Sequence, residues 1–212
     1  MKSIKFLPIF LFCAATQVGL SQDNNDTNIA THPFNVSIPE VALLDVHDAN
    51  TGLEVADITF DMATATTTGT NSEAGLYDFG ALNYTDLWIN YTSVTGSGGS
   101  GFDVTRQIDV QMEAGSTFPL AFDLRITPEA PVVVANGGTV DSAGTVTAGG
   151  VALGVTTAIG TDATLVNSIE SVYTGDETQG VRLTYTLEQN GNFADYQAGL
   201  YQAVLRYTLS DL

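Results

Sequence analysis

Lysine is all but missing from this chain: Lys2 and Lys5 are its only two, and Cys13 is its only cysteine. Those lysines precede an apolar stretch from Phe6 to Ala15 and then Gly19-Leu20-Ser21, the order of an export signal cleaved before Gln22. The stretch is shorter than the about 20 residues a bilayer span needs. Phe10-Leu11-Phe12 is also not the small-residue approach to a lipid-modified cysteine. With residues 1–21 removed, no amine side chain remains for Schiff-base or cross-linking chemistry, and no thiol remains for a disulfide. Stability then has to come from a packed core.

Cations are scarce throughout. After residue 21, only Arg106, Arg125, Arg182 and Arg206 face 24 acidic residues, a net charge of −20. Such a surface repels nucleic acid and anionic membrane, which leaves divalent cations or neutral surfaces as the better partners. No later segment is both apolar and uninterrupted enough to cross a membrane. Histidine is limited to His32 and His47, and neither Ser97 nor Ser100 sits in a G-x-S-x-G elbow, so nucleophilic catalysis lacks its parts. Gly96 to Gly101 spells G-x-G-x-x-G, but it leads into a strand pattern at Phe102 rather than a helix, so it is a hairpin loop and not a dinucleotide site. No zinc set or phosphate loop is present, and no catalytic residue is assigned. An enzyme is not expected. A glycosidase's two carboxylates among 24 are the one opening left.

What the chain does have is alternation. Ile108, Val110 and Met112 share a parity with Phe102 and Val104, interrupted by Arg106; Leu120, Phe122, Leu124 and Ile126 alternate, as do Val181, Leu183, Tyr185 and Leu187. The last alternating run is Tyr201, Ala203, Leu205, Tyr207 and Leu209. Leu87 to Val94 is rich in aromatic and β-branched residues, and Val41 to Val46 is a short apolar run after Pro39. Residues 135–165, dominated by Gly, Thr, Ala and Val, suit short strands and tight turns. The expected fold is all-β, an antiparallel Greek-key β-sandwich of immunoglobulin-like or pilin-like type. The expected organisation is a signal peptide over 1–21, a flexible extension over 22–33 and a single domain over 34–212.

Asp45, Asp48 and Asn50 lie in the densest oxygen-ligand stretch, and Asp48-Ala49-Asn50-Thr51-Gly52 is similar to the start of a calcium loop without the closing glutamate of an EF-hand. Calcium is therefore the one cofactor with a candidate site, and an ordinary Asx-Gly turn is its alternative. Asn35, Asn83 and Asn90 head N-x-S/T sequons. Asp141-Ser142-Ala143 is similar to the short O-glycosylation motif of secreted Bacteroidetes proteins, which makes Ser142 a candidate modification site.

The terminal strand resembles that of chaperone–usher pilins: Gly199, then alternating Tyr201, Leu205, Tyr207 and Leu209, with Asp211 where that family has a penultimate tyrosine. The resemblance implies capture by a periplasmic chaperone and completion of the sandwich by a neighbour's N-terminal extension. Here Phe34, Val36 and Ile38 are the alternating residues that would be donated. A wider resemblance, to a family of secreted Bacteroidetes proteins of poorly defined function, rests on three blocks. These are Ile38 to Asp45, Leu87 to Thr92, and Tyr173-Thr174-Gly175 with Leu183 to Leu187. It implies a surface or fimbria-like β-domain. The expected function is a structural or adhesive surface subunit that passes through the periplasm and pairs with copies of itself or related subunits. The alternative is a secreted glycan- or calcium-binding module using the 45–61 turn or the aromatics Tyr84, Trp88 and Tyr91.

Overall fold

The computed structural model describes residues 31–49, 53–54, 57–62, 66–68, 76–78, 82–97, 101 and 103–212. The chain divides into a unit of Met1–Ser37 and a unit of Ile38–Leu212. Of the first, the described residues form no strand, and Phe34 and Val36 are 85 % and 72 % exposed.

The second unit is an all-β sandwich. Its larger sheet contains β1 (Val41–Asp48), β2 (Leu53–Glu54), β5 (Asn83–Val94), β7 (Phe122–Pro128), β9 (Val151–Gly154), β11 (Val172–Tyr173) and β12 (Val181–Gln189). These lie in the order β2-β1-β5-β12-β7-β9, with β11 also on β5. The smaller sheet is built from β6 (Arg106–Met112), β8 (Thr145–Val146), β10 (Asp162–Ile169) and β13 (Leu205–Asp211), in the order β13-β6-β10-β8. A separate ribbon pairs β3 (Thr66–Thr68) with β4 (Leu76–Asp78). All pairings between these strands are antiparallel. From β5 to β10 each strand lies in the opposite sheet from its predecessor, so the connections cross the sandwich instead of forming hairpins.

The alternation explains the core. Leu87, Ile89 and Tyr91 of β5, Leu124 and Ile126 of β7 and Val181, Leu183 and Tyr185 of β12 point inward. They meet Ile108, Val110 and Met112 of β6 and Leu165, Val166 and Ile169 of β10. Burying a side chain of this size contributes roughly 1.5–3 kcal/mol. In β10 the simple period breaks: Leu165 and Val166 are both buried, and the register against β6 shifts on either side of Val166. Such a bulge places two consecutive residues against one face. Gly180 shows what a close approach demands, since it has φ +77° and a side chain there would come within 2.0 Å of the Ile89 carbonyl.

Several boundaries differ from expectation. Residues 31–40 form no strand, and Pro39 has no N–H to give a ladder there. Val104 and Leu120 are exposed at 51 % each, and their strands begin only at Arg106 and Phe122. The final strand begins at Leu205 and not Tyr201. The backbone of the preceding residues bonds instead to the 113–117 turn, through Glu113 N–H to Val204 O and Thr117 N–H to Gln202 O, both 2.8 Å.

Candidate functional site

One of the two edges of the smaller sheet is β13, which among the described residues has β6 on one side and no strand on the other. Its odd residues Leu205, Tyr207 and Leu209 face the core but stay half-buried. Their neighbours across the ladder, Met112, Val110 and Ile108, are at most 1 % exposed. The core is therefore closed behind β6 and partly open beneath β13. Tyr207 reaches in to hydrogen-bond the Tyr185 hydroxyl. Burial is the main reason both phenols titrate well above the ordinary tyrosine range.

Arg106 ties this edge to the opposite sheet. It shares the inward parity of Ile108 and is 2 % exposed. Its Nε donates to Asp211 Oδ1 at 2.7 Å, and its Nη2 to Glu40 Oε1 at 2.6 Å. Its Nη1 donates to the carbonyls of Val41 at 2.6 Å and Val94 at 3.2 Å, and to Ser93 Oγ at 3.2 Å. One side chain thus joins the end of β13 to the start of β1 and the end of β5. The fork geometry and permanent charge of a guanidinium suit this role. Glu40, Asp103 and Asp211 bring their carboxylates within 4.8 Å of one another, as metal ligands would. The cation among them is Arg106, which pairs with two of the three.

The remaining predicted residues fall as follows. Ile38 is 75 % exposed, outside any strand. Gly199 is exposed with ordinary φ, and a side chain there would only graze Tyr201 at 4.0 Å. Tyr201 donates to Gln197 O at 2.8 Å and packs edge-on against Tyr196. The structure does not bring Asp45 and Asp48 together. Asp45 is exposed on β1, whereas Asp48 is 3 % exposed and accepts from the Tyr84 hydroxyl at 2.9 Å. Three residues apart on a strand, they belong to opposite faces. Asn50 lies outside the described residues. Ser142 sits in a tight turn, where its hydroxyl donates to Thr139 O and accepts from Thr139 N–H, both at 2.9 Å.

Tyr91 is 2 % exposed and its hydroxyl donates to Ala143 O, whereas Tyr84 is half-buried with its hydroxyl donating to Asp48 Oδ2. Trp88 is half-buried on the outer side of β5, outside the core cluster. The sequon residue Asn90 is 5 % exposed. Sequence reasoning passed over Arg106 as an interruption. A lone arginine at an inward position, in a chain with four, was the available signal.

No protein family, curated protein or solved structure matches the chain.

Proposed function

We propose that this protein is an exported structural or adhesive subunit of the bacterial surface that assembles with copies of itself, or with related subunits, by strand exchange. The observation that carries this reading is the edge at β13. Among the described residues no strand pairs with its outer side, and its core-facing residues Leu205, Tyr207 and Leu209 are left half-covered. A bare edge with an incomplete apolar floor accepts an extended segment through ladder hydrogen bonds and alternate side chains. Residues 31–40 supply such a segment, with Phe34, Val36 and Ile38 exposed, alternating and outside any strand. A periplasmic chaperone would cover the edge before assembly, and no catalytic residue is required.

Deleting residues 22–38 tests the reading and leaves Glu40 on Arg106. The expected product is a folded monomer, while the protein with its extension forms polymers that appear as a ladder on unboiled SDS gels and collapse on heating. A full-length protein that sediments as a monomer at every concentration, or a deletion that assembles as before, overturns it.

A further inference from the structure

The outer face of the larger sheet carries a cleft of about 170 Å³. Its walls include Leu43 and Asp45 of β1, Asn90 and Thr92 of β5, Tyr173 of β11 and Asp176 in the turn that follows. Asp45 and Asn90 are direct partners across the β1–β5 ladder. Their Cβ atoms are then about 4.5–5.5 Å apart on one face, so a carboxylate and an amide oxygen can converge.

Asn90 supplies an observation independent of the acidic residues. Its Nδ2 donates to Gln179 O at 2.8 Å and to Glu177 O at 3.4 Å. Both acceptors are carbonyls, so the amide cannot be turned over without setting oxygen against oxygen. Its Oδ1 is thereby turned away from those two carbonyls, buried and without a hydrogen-bond partner, on a side chain that lines the cleft. Buried polar atoms are nearly always satisfied, and one without a protein partner calls for a water or an ion to meet it. Asp176 holds its own turn through Oδ1, which accepts from Glu177 N–H at 2.8 Å, and its second oxygen is uncommitted in that turn. All four arginines are engaged elsewhere: Arg106 with Glu40 and Asp211, Arg125 with Glu188, Arg182 with Asp86 and Glu129, and Arg206 with Glu113. None neutralises Asp45 or Asp176.

We propose that this cleft binds a hard divalent cation, Ca²⁺, with Asp45, Asp176 and the Asn90 Oδ1 as protein ligands and water completing the shell. A donor set of carboxylate and amide oxygens, with no imidazole or thiolate, selects calcium over zinc or copper. The ion bridges β1, β5 and the 174–180 turn, and it gives the orphaned oxygen its partner.

Calorimetric titration of the purified protein with CaCl₂ tests this, together with the melting temperature at each calcium concentration. The expected result is one ion per chain with a Kd of about 10⁻⁴–10⁻³ M, the range of extracellular modules, and a melting temperature that rises with calcium. Asp45→Asn and Asp176→Asn, both exposed and expected to fold, each weaken binding at least about tenfold, by loss of a charged ligand. Asp48→Asn leaves the affinity unchanged, because Asp48 is buried against Tyr84. The proposal is overturned if about 10 mM calcium gives neither heat nor a shift in melting, given the affinity range expected. It is equally overturned if binding survives both Asp45→Asn and Asp176→Asn, or if Asp48→Asn abolishes it as Asp176→Asn does, which would return the ion to the 45–50 turn.

Discussion

Two buried charged residues do work in this fold that apolar residues in their place could not. Asp123 is 2 % exposed and accepts from Val155 N–H at 2.6 Å, Thr156 N–H at 2.9 Å, Thr156 Oγ1 at 2.6 Å and Asn190 Nδ2 at 2.6 Å. Burial pushes its carboxyl up, but these bonds together outweigh burial and hold it below the usual range. A depressed folded-state value means stability that is present above the unfolded value of about 3.9 and lost as pH falls through the folded one. Asp123→Ala strands several donors at once and should cost about 2–4 kcal/mol in urea denaturation. It should also flatten the loss of stability below about pH 4. A variant as stable as the parent at pH 7 would remove Asp123 from the framework. Arg106 acts the same way at the other end of the sandwich. Replacing it by Met leaves Glu40, Asp211 and two carbonyls without their donor; both carboxylates keep contact with water, so the cost should be about 1–3 kcal/mol. If Arg106→Met equals the parent in urea midpoint, the bridge between the sheets contributes nothing net.

At the level of strands, legibility followed locality. The parity of Val181, Leu183, Tyr185 and Leu187 was visible in the sequence because one face of β12 is core, and the structure buries all four. In β10 it was hidden, because Leu165 and Val166 both turn inward at a bulge that only the pairing with β6 defines. Tyr201 fits the alternation of the last strand, yet the chain around it bonds to the 113–117 turn, a partner remote in sequence. The same remoteness concealed Asn90: its place in a sequon says nothing of the 174–180 turn that covers it. The half-open floor of β13 yields a prediction specific to that strand. In the protein lacking residues 22–38, Leu209→Ala should cost about 1–2 kcal/mol, and Ile108→Ala, directly opposite it on β6, about 3–4 kcal/mol. Denaturant midpoints would show the difference. Equal costs would mean that β13 is already as well covered as β6, leaving no vacancy for a donated strand.

For the molecule as a whole, the near absence of bases and the supply of buried phenols set an asymmetric response to pH. Beyond residue 21 there is no lysine to titrate near pH 10, so tyrosines are the only side chains that ionise there in number. Tyr91, Tyr185 and Tyr207 are each pushed well above the ordinary value, chiefly by burial, and each is in or against the core between the sheets. A folded-state value raised above the unfolded one gives stability that is complete below about pH 10 and lost as pH climbs from there toward the folded values. Each such tyrosine removes about 1.4 kcal/mol per pH unit once its unfolded counterpart is ionised, and three acting together exhaust a marginal stability of about 5–15 kcal/mol within a few units. Self-repulsion of the acidic surface adds to this. Alkaline titration of the protein's eight tyrosines, followed by absorbance at 295 nm and by circular dichroism, tests this on Tyr91, Tyr185 and Tyr207. The buried ones should ionise only in a late step that coincides with loss of β-structure. A single smooth titration near pH 10 with the β-signal intact would mean that these phenols reach water in the folded state, and that the space between the sheets is open beyond the edge at β13.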